Sequence, residues 1–256
     1  MRNNKKPKVT LIGAGPGDPD LITVKGVNAL KNAKVVLYDA LVNRDLLSYV
    51  SVTAKKIFVG KRKGIHSFSQ EEIHKLMLEN AFEYGNVARL KGGDPFIFGR
   101  GGEEIDYLTS FGIETEIISG ISSSMAVPAS AGIALTKRGI SESFWVITGT
   151  TSDNKLSKDI YLAAQSTATI VILMGMSKLA KIVPIFKKYG KGDIPTAIIQ
   201  NGTTSNEKIG VGTINSIQEV VEQKKLSSPA IIIVGEVVKE SVKLRSFYEE
   251  FTYLHA

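Results

Sequence analysis

The sequence predicts an α/β protein of two α/β domains, a mostly parallel N-terminal sheet followed by a mixed C-terminal one. Between residues 8 and 119, short β-branched runs alternate with helix-length amphipathic segments, the pattern of parallel βαβ units joined by right-handed crossovers. The second half contains a pair of strand-like runs, Thr196 to Gln200 and Lys208 to Val211, joined only by the polar link Asn201-Gly-Thr-Thr-Ser-Asn206. So short a link suits a hairpin, which makes the second sheet mixed. Between the halves, Ser119-Gly-Ile-Ser-Ser-Ser124 has the composition of a connection. The boundary is therefore set near residue 120, giving domains over 8–119 and 120–240 and a charged, helix-like tail over 241–256.

Each element follows from local pattern. Lys8 to Ile12 reads as the first strand, followed by a glycine turn and a helix from about Thr23 to Asn32. Lys34 to Tyr38 and Lys55 to Val59 are the second and third strands. Ser69-Gln-Glu-Glu72 is a capping box, serine and glutamate each satisfying the other's backbone amide, and it opens a helix through about Phe82. Asn86 to Leu90 is the fourth strand; a helix from Gly102 to Phe111 precedes a fifth at Thr115 to Ser119. In the second half, Phe144 to Thr148, Thr169 to Leu173 and Ala230 to Val234 join the hairpin pair as strands.

Composition bounds the function. The chain has 256 residues, 43% of them hydrophobic and 22% charged, enough to bury a substantial core. The apolar runs are of strand length, far short of a membrane span, and the basic N-terminus lacks the apolar core of a secretory signal. With no cysteine there is no disulfide, thiolate metal site or cysteine nucleophile, and the cytoplasm is the expected location. His66, His74 and His255 have no metal-ligand spacing, so no metal is expected. The formal charge of +7 attracts anions, a polycarboxylate small molecule among them. No stripe of basic and aromatic residues marks a nucleic-acid surface.

Two motifs carry chemistry. Gly13-Ala-Gly15-Pro-Gly17-Asp18 follows the first strand, where an α/β fold approaches ligands at the carboxyl ends of its strands. Its glycine spacing departs from a dinucleotide fingerprint, and Asp18 at the following helix start repels pyrophosphate. Asp39 ends the second strand, either as a site acid or as a cap for the following turn. The run Arg89-Leu-Lys-Gly-Gly-Asp-Pro-Phe-Ile-Phe-Gly-Arg-Gly-Gly-Glu-Glu104 is too rich in glycine for simple chain reversal and brings backbone close to a ligand. Asp94 in it is suited to accept hydrogen bonds from a ligand ammonium or hydroxyl. Glu103 and Glu104 fall in the first turn of the next helix, where they are expected to serve as acids at its N-terminus.

On these residues the chain resembles the tetrapyrrole methylases. The likeness runs through Val9 to Thr23, Leu37-Tyr-Asp39, Val59-Gly-Lys-Arg62, Arg89 to Glu104, Gly120 to Ser124, Gly132-Ile-Ala-Leu-Thr136 and Leu173-Met-Gly175, spanning about residues 8–240. It implies two α/β domains with S-adenosylmethionine in a cleft between them, usually in a homodimer. It also implies addition of two carbon-bound methyl groups to uroporphyrinogen III, giving precorrin-2 by way of precorrin-1 for sirohaem or cobalamin synthesis; a methylase of a later precorrin or an rRNA-modifying relative is the alternative. S-adenosylhomocysteine is then the spent cofactor.

Residue by residue, the resemblance carries cofactor contact onto Pro16, Gly92, Gly93, Asp94, Ile97, Ser122, Ser123, Met174, Gly202 and Ala230. It gives Asp39 a proton-accepting role and Lys61 a proton-donating one. Arg100, Lys137 and Arg138 are candidate substrate contacts, with guanidinium forks suited to carboxylates. The chain departs from the family in having Ser122-Ser123 for Thr-Ala and Lys137-Arg138 for His-Arg. Serine keeps the hydroxyl, whereas lysine places a permanent cation where a histidine would titrate. Because the methylase-like region fills the chain, no dehydrogenase or chelatase activity is expected.

Overall fold

The computed structural model describes residues 6–60 and 68–244. The chain divides into two compact units, 1–122 and 123–256.

The first unit is a five-stranded sheet in the order β3-β2-β4-β1-β5, built from β1 (Lys8–Gly13), β2 (Val35–Tyr38), β3 (Lys55–Phe58), β4 (Asn86–Lys91) and β5 (Glu114–Ile118). Every pairing is parallel, so helices must return the chain between strands. Thr23 opens α1 (Val24–Asn32), its hydroxyl accepting the Gly26 amide at 3.0 Å. The Ser69 capping box opens α2 (Gln70–Tyr84), which runs two residues past its expected end and stops at Gly85 with φ 81°. A third helix, α3 (Gly101–Ser110), leaves the glycine-rich loop. Alternation along the strands gives the sheet two buried faces. Ile12, Val36, Ala88 and Leu90 pack on Leu30 of α1 and on Leu46. On the opposite face, Leu11, Leu37 and Val87 pack on Ile73 and Met77 of α2 and Leu108 of α3.

The carboxyl ends of the central strands are drawn together by glycine. A Cβ on Gly13 would lie 2.3 Å from the Gly120 nitrogen, and one on Gly120 would lie 2.3 Å from the Gly93 oxygen. Only glycine admits three backbones so close.

The second unit carries a mixed sheet in the order β6-β7-β10-β8-β9: β6 (Phe144–Thr148), β7 (Thr169–Leu173), β8 (Pro195–Gln200), β9 (Lys208–Thr213) and β10 (Ala230–Val234). Only β6 and β7 are parallel; β8 and β9 form the expected hairpin. One face packs on α5 (Asp159–Ala163), α6 (Leu179–Lys188) and α7 (Ile217–Gln223) through Ile160, Ile182, Phe186 and Val220. The other packs on α4 (Ser123–Ser130) through Val127. Of the predicted tail helix, the described residues form one short 3-10 turn, Val242–Leu244; the remainder lies outside the described residues. No helix among the described residues is long and apolar enough to cross a membrane.

Candidate active site

Asp39 follows β2, and its amide donates to the Leu90 carbonyl at 3.3 Å, which seats it beside the end of β4. Its side chain is 27% exposed, and Oδ1 accepts a 2.6 Å bond from Nη2 of Arg89. That guanidinium is 2% exposed and lies in the central strand, with Leu11 and Leu37 as its cross-strand neighbours. Such a charge is tolerated in a sheet interior only when its donors are met by anions.

The second anion is Glu104, in the first turn of α3 as expected but turned into the interior. It is fully buried, and Oε1 accepts from Arg89 Nε at 3.2 Å, Lys91 Nζ at 2.9 Å and Gln70 Nε2 at 3.2 Å. Its other oxygen, Oε2, has no hydrogen-bond partner among the described residues. Strand alternation explains the assembly: Arg89 and Lys91 point to the same face as Val87, the face covered by α2 and α3. Two cations and two anions thus share one interior pocket of charge.

Burial pushes the Glu104 carboxyl up, but Arg89 and Lys91 together more than offset this and hold it below its ordinary range. Burial, with Arg89 alongside, pulls the Lys91 ammonium down. Nε2 of His74 lies 3.0 Å from the Gln70 amide nitrogen, its ring stacks on Tyr107 at 4.8 Å, and burial lowers its pKa. Neither Arg89, Lys91 nor Glu104 was singled out in the sequence for a site role. The available signal was the alternation of Arg89 and Lys91 around Leu90 in a strand that pattern makes central.

The expected cofactor residues of the first unit gather at the same carboxyl edge. Pro16 lies half-buried after β1, and Gly92 and Gly93 follow β4. Gly93 exchanges both backbone hydrogen bonds with Gly15, at 2.7 and 3.2 Å. Asp94 ties the loop: Oδ1 accepts the Phe96 amide at 2.8 Å and Oδ2 the Gly120 amide at 3.1 Å. Ile97 is 44% exposed, between Phe96 and Phe98, which are also exposed. Phe98 and Arg100 hold φ of 54° and 58°, a left-handed conformation that costs a side-chain-bearing residue energy. Ser122 is buried.

Arg100 makes a paired contact with Glu103, Nε to Oε1 at 2.9 Å, and both side chains are more than half exposed. Lys61, with Arg62, Lys63 and His66, lies outside the described residues.

In the second unit, Ser123 opens α4. The register that sets Ile232 opposite Ile172 and Ala230 opposite Gln200 brings Met174, Ala230 and Gly202 to one edge of the mixed sheet. Met174 is 51% exposed with φ 54°, its carbonyl accepting from Thr150 Oγ1 at 2.8 Å. A Cβ on Gly202 would meet the Val127 methyls at 2.3 Å, so α4 packs directly on this turn. Lys137 is held by Glu240 at 2.6 Å, and Arg138 is exposed.

Ile97 and Met174 are apolar side chains exposed to solvent, Met174 with a left-handed backbone and Ile97 next to one at Phe98. Residues 8–218 match the family model of the Tetrapyrrole (Corrin/Porphyrin) Methylases. The chain belongs to the tetrapyrrole methylases.

Among these methylases, it is 49% identical over 233 residues to the uroporphyrinogen-III C-methyltransferase of Methanocaldococcus jannaschii, a match covering 90% of this chain and 96% of that one. A siroheme synthase of Actinobacillus pleuropneumoniae is 41% identical over 244 residues, 95% of this chain but 50% of the longer protein. The fold agrees with a crystal structure of the Thermus thermophilus uroporphyrin-III C-methyl transferase complexed with S-adenyl homocysteine. That comparison gives TM-score 0.78 and 35% identity over 91% of this chain and 99% of the other.

Proposed function

We propose that Asp39 is the proton acceptor of this S-adenosylmethionine-dependent methyltransferase, which adds two methyl groups to carbons of uroporphyrinogen III to give precorrin-2 by way of precorrin-1. The observation that carries the role is the carboxylate itself: partly exposed at the carboxyl end of β2, yet anchored by a buried guanidinium. The near full-length identity to a uroporphyrinogen-III C-methyltransferase supports the substrate.

S-adenosylmethionine, when bound, supplies an electrophilic methyl group on sulfur. An electron-rich pyrrole carbon is a competent nucleophile, so the chain's task is alignment, which can contribute roughly 7–11 kcal/mol. Pro16, Gly92, Gly93, Asp94, Ile97 and Ser122 in the first unit, and Ser123, Met174, Gly202 and Ala230 in the second, hold the cofactor. Once a methyl group is on the ring, the ring must lose a proton, and Asp39 accepts it. Lys61 is its proton-donating counterpart. Arg100, Lys137 and Arg138 meet substrate carboxylates, Arg100 by exchanging Glu103 for the ligand and Lys137 by exchanging Glu240. A cytoplasmic homodimer is the setting that the family resemblance supports.

Mass spectrometry of an anaerobic reaction containing the purified protein, S-adenosylmethionine and enzymatically generated uroporphyrinogen III tests the reading. A product two methyl groups heavier is expected. An unchanged tetrapyrrole mass, with S-adenosylmethionine bound, would overturn the substrate assignment.

A further inference from the structure

We infer that Arg89 and Glu104 are positioning residues for methyl transfer, the buried guanidinium setting the orientation of the Asp39 carboxylate and Glu104 fixing the guanidinium. The inference rests on the reading of Asp39 as proton acceptor.

Arg89 has three engaged nitrogens. Nη2 donates to Asp39 Oδ1 at 2.6 Å, Nε to Glu104 Oε1 at 3.2 Å and Nη1 to the Leu90 carbonyl at 3.4 Å. A planar fork held at Nε and Nη2 by two carboxylates cannot rotate without losing one of them. Asp39 therefore inherits its orientation from a side chain that is itself locked in the sheet. Oδ1 is occupied by this bond. Among the described residues none donates to Oδ2, the oxygen that takes the proton.

The cluster is poorly arranged for stability alone. Leu11 and Leu37 flank Arg89 on the same sheet face, and apolar replacement of buried ion pairs is often neutral or stabilising. Glu104 concentrates three donors on Oε1 and leaves Oε2 buried without a partner. An incompletely satisfied interior carboxylate fits a group that holds Arg89 in place better than one that maximises hydrogen bonding.

The cluster that holds Asp39 draws on three elements: β4 supplies Arg89 and Lys91, α3 supplies Glu104, and Gln70 of α2 joins through Glu104.

The experiment is single-turnover methyl transfer, with S-adenosylmethionine affinity by calorimetry, in Asp39→Asn, Glu104→Gln, Arg89→Gln and Arg89→Lys. Glu104→Gln and Arg89→Gln each loosen the hold on the Asp39 carboxylate, so the single-turnover rate falls while cofactor affinity is retained. Arg89→Lys keeps the charge and loses the fork, and its rate falls about tenfold or more while cofactor affinity is retained. Should Arg89→Gln fail to fold, Glu104→Gln and Arg89→Lys carry the test. If Asp39→Asn loses turnover while those two variants keep the parent rate, the positioning role is overturned and the role of Asp39 stands. Full turnover in Asp39→Asn would overturn both.

Discussion

The two sheets have five strands each, but their central strands bury opposite kinds of side chain. In the first unit, β4 places Arg89 and Lys91 in the interior, closed over by Glu104 from α3. In the second, β10 is Ala230-Ile-Ile-Ile-Val234, and both of its faces pack against hydrocarbon. The second sheet demonstrates that this chain can build a core without interior charge. The charge in the first sheet is therefore better explained by what it does for Asp39 at the strand ends than by cohesion. Both sheets nevertheless bring expected cofactor residues to one edge: Gly92 to Ile97 after β4, and Met174, Gly202 and Ala230 in the second unit.

The contrast can be broken at several points. The largest effect is expected from Asp39→Asn, which preserves shape and removes the proposed proton acceptor. Turnover should fall by about 10²–10⁴-fold with S-adenosylmethionine binding retained, read by stopped-assay product mass and calorimetry. Next is Glu104→Ala, which strands Arg89 and Lys91 in the interior and should cost about 3–5 kcal/mol in urea unfolding. Ile232→Ala, a cavity in the apolar sheet, should cost about 2–5 kcal/mol. Similar losses of stability with unlike effects on turnover are the expected signature of Glu104→Ala and Ile232→Ala, since only Glu104 holds the anchor of Asp39.

A sharper version makes the first sheet resemble the second. Replacing Arg89, Lys91 and Glu104 together by Met, Leu and Leu should leave the fold as stable or up to about 4 kcal/mol more so, with turnover lost. Retained turnover would show that Asp39 needs no anchor.

Acid provides a milder probe. The folded pKa of Glu104 lies below its ordinary value, because Arg89 and Lys91 outweigh the effect of burial. A depressed carboxylate contributes stability that is complete above the unfolded value, about 4.3, and lost as pH falls through the folded one. The stability difference between the parent and Glu104→Gln should thus be largest near neutral pH and narrow in acid. The smallest effect is expected from Arg100→Ala: stability within about 0.5 kcal/mol, with a rise in KM for the tetrapyrrole and no change for the cofactor. Unchanged kinetics would remove Arg100 from the substrate site.

Local pattern was enough to lay out both sheets. β-branched runs such as Thr169–Leu173, the capping box at Ser69 and the short polar link after Gln200 each act within a few residues. Local chemistry of that range is written in order along the chain, and all three appear where the pattern put them. The glycine-rich run after Leu90 was equally legible as ligand-approaching backbone. Its reason became visible only in three dimensions, where Gly13, Gly93 and Gly120 crowd together from separate strand ends. The role of Asp94 was half legible: the carboxylate was conspicuous, but its two amide partners include one 26 residues away.

The buried charges were set by packing between distant segments. Glu104 reads as an ordinary acid in a first helical turn, and Arg89 lies 15 residues from it and 50 from Asp39. Whether such a helix turns its acid outward or inward depends on where the cations of the neighbouring strand lie. Burial free energy is fixed by those neighbours, and no local pattern encodes them.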